Sequence, residues 1–279
     1  MPIHDQGYRR YAGTRRPSGQ AWAVITRAGL QALLGRRAFI GLLVLAWMPF
    51  FVRAVQLYAA ANLPQAAFLA PTAQTFRQFL AQQDLFVFFV TVYAGGGLIA
   101  NDRRAHALQL YLSKPLTATE YVVGKLAILM ALILFITWVP AILLLLAQVA
   151  LAGNVVFVRQ NAFLVPAITA FTFVEALVGG TSMLALSSLS RSGRYVGLLY
   201  AALMFFSQAV FLVLKTATGS GSWSWISVVS DVSQIGDAIF RLPVRGSAPW
   251  PMPVVMVLAV MAASAWMLHE RVRGDEAVS

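Results

Sequence analysis

Few side chains in this chain can do acid–base or nucleophilic chemistry, and the one that stands out is Glu175. It sits inside the apolar run 162–189, where an ionisable group costs on the order of 3 kcal/mol on membrane-insertion scales. At helical spacing Thr172, Glu175, Gly179 and Ser182 share one face, a stripe of polar and small residues. Two readings stand side by side. The stripe lines a path for a polar or cationic solute or a seam with a second copy, or it hydrogen-bonds a neighbouring helix. Asp231 and Asp237, six apart without a nearby histidine, read as carboxylates of a solvated turn. Arg53 with Gln56 reads as a cation reaching back to the membrane surface.

Other chemistries are excluded by composition. The chain has no cysteine, so disulfides, thiolate metal sites and cysteine nucleophiles are ruled out. His4, His106 and His269 lack metal-ligand spacing. Neither HExxH nor GxSxG occurs, and no GxxxxGK[ST] phosphate loop occurs either. No catalytic residue, no metal ligand and no cofactor bound by this chain are expected.

The elements that must position Glu175 are written in hydropathy. Of 279 residues, 59% are hydrophobic and 11% charged, with mean hydropathy +0.73. Soluble domains carry about a quarter charged residues. Runs of about 20 apolar residues match a hydrocarbon core of about 30 Å, and long continuous runs point to helices rather than barrel strands. The expected fold is all-α: six transmembrane helices at 38–60, 85–100, 121–151, 162–189, 195–214 and 253–269. Residues 1–37 form a basic tail and an N-terminal interfacial helix across 19–37, with no cleaved leader expected, and 271–279 a short tail. Pro49, Pro140 and Pro166 are expected to kink their helices without ending them. Residues 215–252, with Trp223 and Trp225, read as a helical element at the membrane surface or dipping into it.

Lys and Arg set the orientation. With the N-terminus inside, inner segments carry fifteen and outer segments six, so both termini are expected in the cytoplasm. The +11 charge therefore speaks for orientation and contact with membrane lipids, not for nucleic acid.

The loop 101–125, NDRRAHALQLYLSKPLTATEYVVGK, has internal order. Ala105, Leu108 and Leu112 repeat at i, i+3, i+7 with Tyr111 beside them. Pro115 ends that helix, and Thr117 or Thr119 starts the next with Glu120 in its first turn. Gly95, Gly96 and Gly97 just before it allow close packing or a bend. The physical reading is open between a basic interfacial helix and a docking element for a cytoplasmic partner.

IANDRRAHALQLYLSKPLTATEYVVGK resembles the signature loop of ABC-2 type transporter permeases, with SSLSRSGRY (187–195) similar to the family's inner loop between spans four and five. Asn101 stands where the family often has an acid, and His106 where it often has glycine. The resemblance implies a permease subunit of the inner (plasma) membrane of a prokaryote, paired as a homodimer with two copies of a separate ABC ATPase that holds ATP and Mg. The loop would be a cytoplasmic coupling helix. Leu108, Leu110, Tyr111 and Leu112 would form its docking face, Asp102 its acidic start, Arg103 and Arg104 would meet the ATPase, and Pro115 and Leu116 would shape the turn. Export is the direction implied. A non-transporting anchor or mechanical-signal subunit worked by the same lever is the alternative.

Overall fold

The computed structural model describes residues 21–105, 117–153, 155–244, 249 and 251–276. All regular structure among them is helical. Six stretches are long and apolar enough to cross a membrane: Arg37–Asn62, Ala73–Arg104, Ala118–Ala152, Leu164–Leu189, Gly193–Thr218 and Met252–Arg271. We call the end where the first stretch begins the near end and the other the far end. Successive stretches alternate in direction between them.

A helix α1 (Ala21–Leu34) precedes the first stretch and packs along the third. It lies so close that a Cβ on Gly124 would stand 2.9 Å from the Trp22 carbonyl oxygen. The first stretch is α2 (Arg37–Ala46) and α3 (Met48–Asn62), separated at Trp47. The break falls two residues before Pro49, whose ring clashes with the preceding turn and whose missing N–H removes a helical bond. The third stretch breaks likewise at Thr137, three residues before Pro140, between α6 (Ala118–Ile136) and α7 (Trp138–Ala152). Pro166 lies in the first turn of α9 (Leu164–Leu189) and is accommodated there.

The second stretch departs most from expectation. Helix α4 (Ala73–Gly95) starts twelve residues before the expected Leu85, behind a capping box in which Thr72 and Thr75 bond reciprocally. Within the polar run that hid its start, Arg77 and Gln83 point inward and are buried, while Gln74, Gln82 and Asp84 are exposed. After Gly95 the chain turns into the short α5 (Ala100–Arg104). A Cβ on Gly95 would stand 2.5 Å from Met183 and one on Gly96 2.9 Å from the Gly193 carbonyl oxygen. These glycines serve close packing.

Helix α9 is the hub and packs on the second, third, fifth and sixth stretches. A short α8 (Val156–Gln160) precedes it. The fifth stretch is α10 (Gly193–Ala201) and α11 (Ser207–Thr218), joined by a π-helical turn over Ala202–Phe206. The segment after it folds into a 3-10 turn (Gly221–Ile226) and α12 (Val228–Ile239), and the final helix is α13 (Met252–Glu276). The helix expected within 215–252 is therefore present, packed on α13, α9 and α4 at the far end.

Three buried clusters hold the bundle. The largest joins α2, α4, α6 and α9 around Phe39, Tyr121 and Ile128. A second, around Phe76, Phe79 and Phe171, fills the far end, and a smaller one seats α12 and α13. The first stretch carries its apolar residues outward, with Val44, Phe51, Val52 and Val55 exposed, as a surface that meets lipid does.

Candidate functional site

Glu175 and Asp84 each stand eleven residues from the first residue of their helices, α9 and α4, both of which start at the far end. At 1.5 Å per residue both lie about 16 Å along their helices from the far end, so the two stand at matching levels in the bundle. Their carboxyl groups come within hydrogen-bonding reach of one another. They line a cavity of about 360 Å³ walled by α4, α9, α10, the π turn and α12. Glu175 is 8% exposed and its Oε2 has no hydrogen-bond partner. Asp84 forms an exposed part of the wall.

One turn or more closer to the far end lies an ion pair. Arg77 Nε donates to Asp237 Oδ1 at 3.1 Å, and both side chains are almost wholly buried. Arg77 Nη2 also donates to the Ser233 carbonyl oxygen at 3.1 Å and to its Oγ at 2.9 Å. The guanidinium carbon lies 4.7 Å from the centre of the Phe171 ring, a cation–π contact. A Cβ on Gly236 would stand 2.6 Å from Phe171 and 2.8 Å from Arg77 Nε, so only glycine lets α12 approach this closely.

These contacts correct the reading of Asp231 and Asp237 as solvated. They are 2% and 1% exposed, because α12 folds back onto the bundle. Asp237 neutralises a buried arginine, and burial pushes the Asp231 carboxyl up to about 8. Arg77, counted among the outer charges, is a side chain of the bundle interior. Hydropathy offered no sign of the Arg77–Asp237 or Asp84–Glu175 pairs. The available signal was the Thr72 cap, followed at helical spacing by Phe76, Phe79 and Leu80.

Of the stripe, Glu175 and Gly179 reach the cavity, while Thr172 and Ser182 are buried elsewhere on α9. Thr172 Oγ1 donates to the Ile168 carbonyl oxygen at 2.8 Å, and Ser182 Oγ has no partner. Arg53 is held by Gln56 at 2.8 Å and Gln82 at 3.3 Å.

The near end holds the other candidate. Tyr121 Oη donates to Asp102 Oδ2 at 2.7 Å, and Lys125 Nζ stands 2.8 Å from the same oxygen. One carboxylate thus ties α5 to α6 across the base of the 101–125 segment. Arg103 Nη1 donates to the Ser188 carbonyl oxygen at the end of α9. Ser187 Oγ accepts from the amides of Ile99 and Ala100, each at 3.1 Å, and donates to the Gly96 carbonyl oxygen. Arg104 is exposed. The next helix starts at Thr117, in a capping box with Glu120. Leu108, Leu110, Tyr111, Leu112, Pro115 and Leu116 lie outside the described residues.

Among the described residues no group of three or more His, Asp or Glu side chains is arranged to hold a metal ion. No protein-family model matches the chain, and no curated protein matches it.

Proposed function

We propose that this chain is the membrane-spanning permease subunit of an ABC-2 type transporter, worked by a separate cytoplasmic ATPase. The observation that carries the reading is the 101–125 segment. Its residue pattern resembles the family's coupling loop, and its two limbs are joined at the base by Asp102, Tyr121 and Lys125. Arg103 and Ser187 fasten the same base to α9. A push on such a segment reaches α4, α6 and α9 together, which is what a lever between a nucleotide-driven partner and the spans requires. Six apolar stretches and the excess of Lys and Arg on one side support a permease with cytoplasmic termini. ATP and Mg would be held by the partner, a second permease copy would complete the assembly, and export is the expected direction.

The test is purification of the chain from its native membrane. A soluble ATPase should co-elute, and Arg104→Glu should reduce its yield in the complex at least several-fold while leaving the permease monodisperse. Absence of any ATPase from the native complex would sink the proposal.

A further inference from the structure

We propose that the cavity between α4, α9, α10 and α12 binds a lipophilic organic monocation, with its charge between Asp84 and Glu175 and its body against the aromatic wall. The inference rests on the permease reading only where the bound cation is called a transported solute.

The charge balance comes first. Arg77, the one cation on the cavity wall among the described residues, is engaged by Asp237 and Ser233. Asp84 and Glu175 face one another and feel Arg77 only at longer range, with no salt bridge from it to either. Two carboxylates that close do not both stay ionised: they share a proton unless a positive charge stands beside them, and a bound cation would take the proton's place. The second observation is the buried Oε2 of Glu175, which has no hydrogen-bond partner on a residue that lines the cavity. A buried acceptor without a partner is costly, and a bound cationic group would complete it.

The remaining wall decides what kind of cation. Phe88, Phe171, Met204 and Phe205 contribute apolar and aromatic surface, which suits a hydrophobic body and favours positive charge at ring faces. The volume lies at the small end of the range for small-molecule sites. A bare calcium ion takes six to eight oxygen ligands, whereas two carboxyls stand here. The π turn swings Met204 and Phe205 onto the wall, and such turns recur at functional sites. Leu85, Phe205 and Val229 both line the cavity and are exposed, so it is open to the chain's surroundings.

The experiment uses the full chain purified in detergent and radiolabelled tetraphenylphosphonium in a scintillation proximity assay. Saturable binding is expected, displaced by unlabelled tetraphenylphosphonium and at least tenfold less well by triphenylphosphine oxide, a neutral compound of related shape. Glu175→Gln and Asp84→Asn should each weaken binding at least tenfold with an unchanged gel-filtration profile, and Glu270→Gln, at an exposed carboxyl on α13, should leave it unaltered. No saturable binding by the unmodified chain, equal displacement by the neutral compound, or full binding in both carboxyl variants would overturn the proposal. The charge comparison needs no variant, so a folding defect cannot hide the answer. Because the assay contains no ATPase, the two proposals fail separately. A missing partner would undo the permease reading alone, and lost cation binding beside an intact ATPase complex would undo this one alone.

Discussion

Replacing Asp237 with alanine removes the carboxylate that Arg77 Nε meets at 3.1 Å, leaving a guanidinium in a residue only 3% exposed. Breaking a buried ion pair from one side costs about 3–5 kcal/mol, because the surviving charge stays desolvated. Arg77 would keep its two bonds to Ser233 and its contact with the Phe171 ring. That places the expected loss near the lower bound, about 3 kcal/mol. At roughly 2–4 °C per kcal/mol for a chain of this size, the melting temperature in detergent should fall by about 6–12 °C. Replacing Arg77 with methionine in the same chain removes the orphaned charge and leaves an apolar side chain beside Phe171. The double variant should recover about 2 kcal/mol relative to Asp237→Ala alone, a coupling that a double-mutant cycle reads directly. A fall of under 2 °C in the single variant, or a double variant that is the less stable of the two, would refute the reasoning.

Three further outcomes are expected. Asp231 holds a proton in the folded chain up to about pH 8, whereas an unfolded aspartate releases it near its ordinary value of 3.8. Between those values the folded state binds more protons, so stability should fall as pH rises from about 4 to 8. Asp231→Asn should flatten that decline in melting temperature, and parallel curves would count against it. Gly236→Ala puts a methyl group 2.6 Å from Phe171, and overpacking of this kind costs about 1–3 kcal/mol. It should lower the melting temperature and expose α12 to limited proteolysis, and unchanged cleavage would contradict the packing. Asp102→Ala removes the oxygen shared by Tyr121 and Lys125. It should speed hydrogen exchange at residues 99–104 and 118–123 several-fold without changing it in α12, and uniform exchange would deny the tie.

At the near end only the local contacts were legible in the primary structure, whereas Arg103 with Ser188 and Ser187 with Ile99 lie 85 and 88 residues apart. Thr117 and Glu120 are three apart and cap one helix. Asp102 lies nineteen residues from Tyr121, so the loop's two limbs lie close in the chain. The far end was not legible, because its contacts are distant in the chain. Arg77 and Asp237 are 160 residues apart, and each alone looks like a hydrated surface charge. Hydropathy averages charge it as exposed, and so the second helix was expected to start at Leu85 rather than Ala73.

By itself the amino-acid sequence determined that the described residues are helical and that six stretches are apolar enough to cross a membrane. Those properties follow from side-chain hydrophobicity and local backbone sterics, which need no distant partner. Only the tertiary structure decided what the polar residues inside those helices do. It folded α12 back to neutralise Arg77, and it brought Asp84 to the level of Glu175. A buried charge is tolerated or functional according to what stands within a few ångströms of it, and that distance is set by the packing of the helices.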